Sequence, residues 1–151
     1  MPKLFVEKSI VINAPVSRVW EILTQRDYTA RWASEFSNGS QFFIESDWQP
    51  GSRVLWIGPD GEVVVEGNVT ALKPNRLLRF TVFDVRSPER PPVGDEDGIT
   101  YELSEENGKT TLHVRQGDFS VMTNGEKYQQ MSAQVWDRVL PKVQSLAEKK
   151  D

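Results

Sequence analysis

The chain has 151 residues, of which 38% are hydrophobic and 26% charged, and carries a net charge of -4. That length suits a single domain over 1–151, and the composition lies far from the low-hydrophobicity, high-charge mixture of disordered chains. The acidic balance without a basic stripe argues against nucleic acid as a partner, zero cysteines exclude disulfides and thiolate chemistry, and no run approaches the roughly 20 apolar residues that span a bilayer.

The opening Met1-Pro2-Lys3-Leu4-Phe5-Val6-Glu7 turns polar before a signal-peptide core forms, so a cytoplasmic protein without membrane attachment is expected. Apolar residues alternate from Leu4 to Ile12 and predict a strand with Leu4, Val6, Ile10 and Ile12 on one face. Pro15 then marks a helix start, and Val16, Val19, Trp20 and Leu23 follow at helical spacing up to an end near Gln25. A second short helix is expected over 27–32, capped by Asp27, with Tyr28 and Trp32 on one side. From Gln41 the chain becomes a run of strands, expected at 42–46, 53–57, 63–72, 77–85, 99–104 and 110–116, each rich in β-branched or aromatic residues and bounded by breakers. Pro59-Asp60-Gly61, Lys73-Pro74-Asn75 and Asn107-Gly108 supply turns between antiparallel neighbours, because Asn, Asp and Gly tolerate positive φ. A long C-terminal helix closes the chain. Thr123 and Glu126 have capping-box spacing, Tyr128, Met131, Val135, Val139, Val143 and Leu146 recur every three or four residues, and Pro141 predicts a kink. Such segregation of helices and strands is the pattern of an α+β fold whose antiparallel sheet curves around the terminal helix.

Few residues offer chemistry. The one histidine, His113, alternates with Leu112 and Val114 and is expected to face outward, away from any serine it would activate. Asp95-Glu96-Asp97-Gly98 resembles half of a calcium loop, but without the spaced acceptors and distal glutamate it reads as a solvated acidic loop. Gly58 and Gly61 form no dinucleotide or phosphate cradle. No catalytic residue, metal site or cofactor is therefore assigned.

The aromatic residues are more informative: five Trp, seven Phe and three Tyr. Candidates to line an internal space are Trp32, Phe43, Trp56, Phe80, Tyr101, Tyr128, Met131 and Trp136. Arg79, Tyr101, Gln116 and Tyr128 are candidates to orient a ligand, since pockets for small molecules are mainly apolar with a few polar groups. The same aromatics can instead fill a close-packed core. The Pro-rich connection over 86–98 suits a lid or a plain surface loop, and 117–124 suits a rim through Phe119 and Met122.

Ala14-Pro15 followed by Val19-Trp20 and Leu23-Thr24, then Trp32, Pro50-Gly51, Gly67-Asn68-Val69, Pro74 with Arg76-Leu77, Gly108 with Thr110, and Trp136 with Leu140 form an ordered set. By these residues, over nearly its whole length, the chain resembles the START-like (SRPBCC) superfamily. Within it, the chain is similar to the branch of the C-terminal domain of the activator of heat-shock protein 90 ATPase. The resemblance implies a helix-grip fold: a curved antiparallel sheet of about six or seven strands around a long C-terminal helix, with two short helices after the first strand. It also implies binding of a small hydrophobic molecule, lipid-like or polycyclic aromatic, in a cavity between sheet and helix. Two other functions of the superfamily are a co-chaperone-like domain whose partner is a chaperone, and a cyclase- or hydrolase-type enzyme using Tyr101 or a buried carboxylate as acid or base. The sequence departs from the branch at Val135, where Gly often precedes the helix tryptophan, and at Gln116, where His often ends the seventh strand.

Overall fold

Alternating burial along β1 (Val6–Ile12) places Val6 and Ile12 in the core and Glu7, Ser9 and Val11 in solvent. The computed structural model describes residues 4–32, 43–84, 98–117, 119–121 and 124–149. Of the features expected from sequence, Phe42, Val85, the lid segment 86–97, Met122 and Thr123 lie outside the described residues. Helix α1 (Val16–Thr24) starts after Pro15 as N-cap and buries Val19, Ile22 and Leu23. Helix α2 (Arg26–Trp32) begins one residue earlier than expected. The Gln25 carbonyl already accepts from the N–H groups of Tyr28 and Thr29, so Asp27 sits in the first turn, where its charge complements the helix dipole, instead of capping.

The remaining strands are β2 (Phe43–Ser46), β3 (Arg53–Ile57), β4 (Val63–Lys73), β5 (Leu77–Phe80), β6 (Phe83–Asp84), β7 (Gly98–Glu106) and β8 (Lys109–Gly117). All pairings are antiparallel, and seven strands run in the order β1-β8-β7-β5-β4-β3-β2, with β6 paired to β4 off this path. The expected turns form as their chemistry dictates, with positive φ at Gly61, Asn75, Asn107 and Gly108. The single strand expected over 77–85 is corrected to two pieces. Thr81 leaves the β5 line to bond Asn68, its N–H donating to the Asn68 carbonyl at 3.0 Å and its Oγ1 accepting the Asn68 N–H at 2.9 Å. Only a glycine allows this approach: a Cβ on Gly67 would lie 1.7 Å from the Thr81 carbonyl oxygen.

After a 3-10 turn at Phe119–Val121, helix α3 (Gly125–Glu148) begins behind Asn124, whose φ of 59° is left-handed and whose side chain makes no capping bond. The helix runs through Pro141, which is exposed, and buries Trp136, Val139, Leu140, Val143 and Ala147 against the sheet and α1. The inward orientation expected for Tyr128 and Met131 is corrected: they are 43% and 51% exposed. Their spacing is helical, yet at about 100° per residue Met131 lies roughly 140° around the helix from Trp136, and Tyr128 roughly 80°.

Helix side chains close both outermost strands. Thr29 of α2 accepts the Ile44 N–H of β2 on its Oγ1 at 3.0 Å. On β1, Gln129 and Gln144 of α3 donate to the carbonyls of Phe5 and Val11 at 2.9 and 3.0 Å, and Lys8 pairs with Asp137 at 2.9 Å. The result is the α+β helix-grip architecture, with one core between the curved sheet and the three helices. Among the described residues, no helix is long and apolar enough to cross a membrane.

Candidate functional site

The two-residue period of β7 turns Tyr101 toward α3, with Glu102 on the opposite face. Its ring stands edge-to-face between Phe80 of β5, at 5.8 Å and 64°, and Trp136 of α3, at 6.2 Å and 82°. Phe80 in turn meets Trp48 at 5.6 Å and 69°. This offset geometry suits aromatic quadrupoles and links the middle of the sheet to the helix in one continuous array.

The polar atoms in the array differ in how they are satisfied. Trp136 Nε1 donates to Gln116 Oε1 at 2.9 Å, and Trp48 Nε1 donates to the Thr24 carbonyl at 2.8 Å. Tyr101 is only 1% exposed, and its hydroxyl has no hydrogen-bond partner among the described residues. Desolvation pushes the Tyr101 phenol above its ordinary pKa, so at neutral pH it is a proton-bearing donor and not a base. Gln116, half-buried at the end of β8 and paired in register with Val6 and Ile99, has its amide orientation fixed by the Trp136 N–H; its Nε2 is left without a partner among the described residues.

The other candidates divide by strand face and helix phase. Trp32 is fully buried and donates Nε1–H to the Ile22 carbonyl at 2.8 Å, while Trp56 is buried opposite Ile44. Phe43 pairs with Ile57, one residue out of phase with the Ile44–Trp56 pair, and lies 4.1 Å beneath the Arg26 guanidinium. It therefore belongs to the face opposite Trp56, which corrects the inward placement expected for it. Tyr128 and Met131 lie outside the interior, as described above. Arg79 also faces away from it: its Nε donates to Thr100 Oγ1 at 3.0 Å on the outer face of the sheet. There it joins Lys73, Arg76, Glu102 and His113 around an open depression of about 400 Å³. His113 faces outward as alternation predicts, 3.5 Å from Ser9 Oγ, with Leu112 and Val114 buried on either side of it.

One member of the array was not legible from sequence. Trp48 stands in Asp47-Trp48-Gln49-Pro50-Gly51, a segment dominated by turn formers, and adopts a φ of 52°. Periodicity carries no signal in such a segment; the only hint is a large aromatic residue in a polar turn.

A family model described as "Activator of Hsp90 ATPase homolog 1-like protein" matches residues 13–148. No curated protein matches the chain. Among solved structures, a protein from Mesorhizobium loti is 18% identical with a TM-score of 0.71, covering 97% of this chain and 98% of its own. The Aha1 dimer from Colwellia psychrerythraea is 16% identical with a TM-score of 0.71, covering 96% of each chain. An AHSA1-like protein from Aeromonas hydrophila is 20% identical with a TM-score of 0.63, covering 95% of this chain and 92% of its own. At these identities the likeness concerns the fold.

Proposed function

Because the chain belongs to the Activator of Hsp90 ATPase homolog 1-like family, we propose that it binds a small, largely apolar molecule, lipid-like or polycyclic aromatic, between the sheet and α3. The observation that carries this reading is the buried Tyr101 hydroxyl without a hydrogen-bond partner among the described residues. An unpaired hydroxyl in a dry interior costs about 1–3 kcal/mol, a penalty that a ligand oxygen removes. Trp48, Phe80 and Trp136 supply apolar surface around it, and Trp32 and Trp56 are buried in the same core. Native mass spectrometry of the purified protein, followed by extraction of bound material, tests the reading. A reproducible adduct with the mass of a lipid or a polycyclic compound supports it. Protein that carries no adduct and takes up neither fatty acids nor 1-aminoanthracene refutes it. The cytoplasmic location expected from the sequence is part of this proposal.

A second reading, contact with a chaperone, is favoured by Tyr128 and Met131, which lie three residues apart and exposed on α3. The family's name points to Hsp90 as the chaperone. A pull-down in which Hsp90 is retained by the wild type and lost on Met131→Glu supports it; no retention by the wild type refutes it.

A further inference from the structure

The geometry points to a ligand that is electrically neutral and carries an oxygen acceptor, a carbonyl or ether, seated on the Tyr101 hydroxyl; this inference rests on the ligand-binding reading above. Thr29, Thr81, Thr100 and Thr110 are the buried polar side chains among the described residues. Each is engaged: Thr29 with Ile44 and the Arg26 carbonyl, Thr81 with Asn68, Thr100 with Arg79 Nε, and Thr110 with the Ala14 carbonyl at 2.8 Å. The Trp32, Trp48 and Trp136 indoles are likewise bonded. Tyr101 Oη, by contrast, is buried without a hydrogen-bond partner among the described residues, and it offers a proton.

No charged side chain is buried among the described residues. A carboxylate or phosphate brought to Tyr101 would therefore enter an aromatic interior with one neutral donor and no counter-charge, at a cost that a single hydrogen bond does not offset. A neutral oxygen meets no such penalty. Gln116 adds a second constraint. Its Oε1 already accepts from Trp136, and its Nε2 hydrogens are left open from a half-buried position at the strand end. Tyr101 Oη and Gln116 Nε2 both offer protons, and a ligand with neutral oxygens complements both. A protonated amine has no lone pair with which to accept from either.

Three probes of one shape test this: fluorene, 9-fluorenone and fluorene-9-carboxylate, titrated by quenching of tryptophan fluorescence. The wild type is expected to bind fluorenone about 5- to 10-fold more tightly than fluorene, the increment of one neutral hydrogen bond in a dry site. The carboxylate should bind no better than fluorene, and Tyr101→Phe should bring the fluorenone-to-fluorene ratio close to one. Equal wild-type affinities, a ratio that survives Tyr101→Phe, or preference for the carboxylate overturns the inference and leaves the ligand-binding reading standing. Binding of none of the three, together with no uptake of fatty acids, removes both. The wild-type comparison decides the matter alone if the variant folds poorly.

Discussion

Changing Tyr101 to Phe deletes a single oxygen and keeps the ring that Phe80 and Trp136 contact. In most buried tyrosines this substitution costs about 1 kcal/mol, because the hydroxyl has a protein partner that is then left unpaired. Here the hydroxyl is buried and has none among the described residues, so the ligand-free folded state bears the desolvation cost while the unfolded state hydrates the group. Tyr101→Phe is thus expected to stabilise the ligand-free protein by about 1–3 kcal/mol. For a chain of this size that corresponds to a rise in Tm of about 2–10 °C. The measurement is urea unfolding of protein stripped of small molecules under denaturing conditions and refolded, followed by tryptophan fluorescence, with the denaturant slope unchanged between variants. Protein carrying its ligand should show a smaller gain or a loss, since the wild type alone then has the bond. A loss of 1 kcal/mol or more in the stripped protein would mean that the hydroxyl is already satisfied, and the argument for a ligand oxygen would fall.

Gly67→Ala should cost more than about 3 kcal/mol or prevent folding, because the new methyl group meets the Thr81 carbonyl 1.7 Å away; a circular-dichroism melt within a few degrees of wild type contradicts this. Thr29→Val keeps the side-chain shape but strips the Ile44 N–H of its acceptor, for an expected loss of about 1–3 kcal/mol and faster amide exchange at Ile44. Unchanged exchange there would show that the strand edge is held otherwise. Met131→Glu, at a 51% exposed position, should move stability by no more than about 0.5 kcal/mol, and a larger loss in a denaturant titration would place Met131 against a surface.

Local rules recovered most of the architecture. Alternation located β1, β-branched and aromatic content between breakers located β3, β7 and β8, and turn chemistry at Asn75 and Asn107-Gly108 joined the right neighbours. What they missed depended on contacts distant in sequence. The break between β5 and β6 is set by Thr81 reaching Asn68, so a stretch rich in aromatic and aliphatic residues gave no warning of it. On α3, periodicity marked a stripe, but the sheet selected which side of that stripe to bury, leaving Met131 outside and Trp136 within. Phe43 fell on the other face from Trp56 because the pairing of Ile44 with Trp56 fixes the phase. Tyr101 was legible as a residue, while its missing partner was not: an orphaned atom is a property of the assembled interior.

The helix side chains that close β1 and β2 also bear on how copies of this protein meet. An open strand edge is a template on which another chain can add, and here a threonine from α2 and two glutamines from α3 already occupy main-chain groups on the outermost strands. These bonds disfavour growth of a shared sheet at those positions. The protection is conditional, however. It is supplied by helices, so any partial unfolding that lifts α3 away uncovers β1 as well, and loosening of the helix and a tendency to form fibrils should rise together.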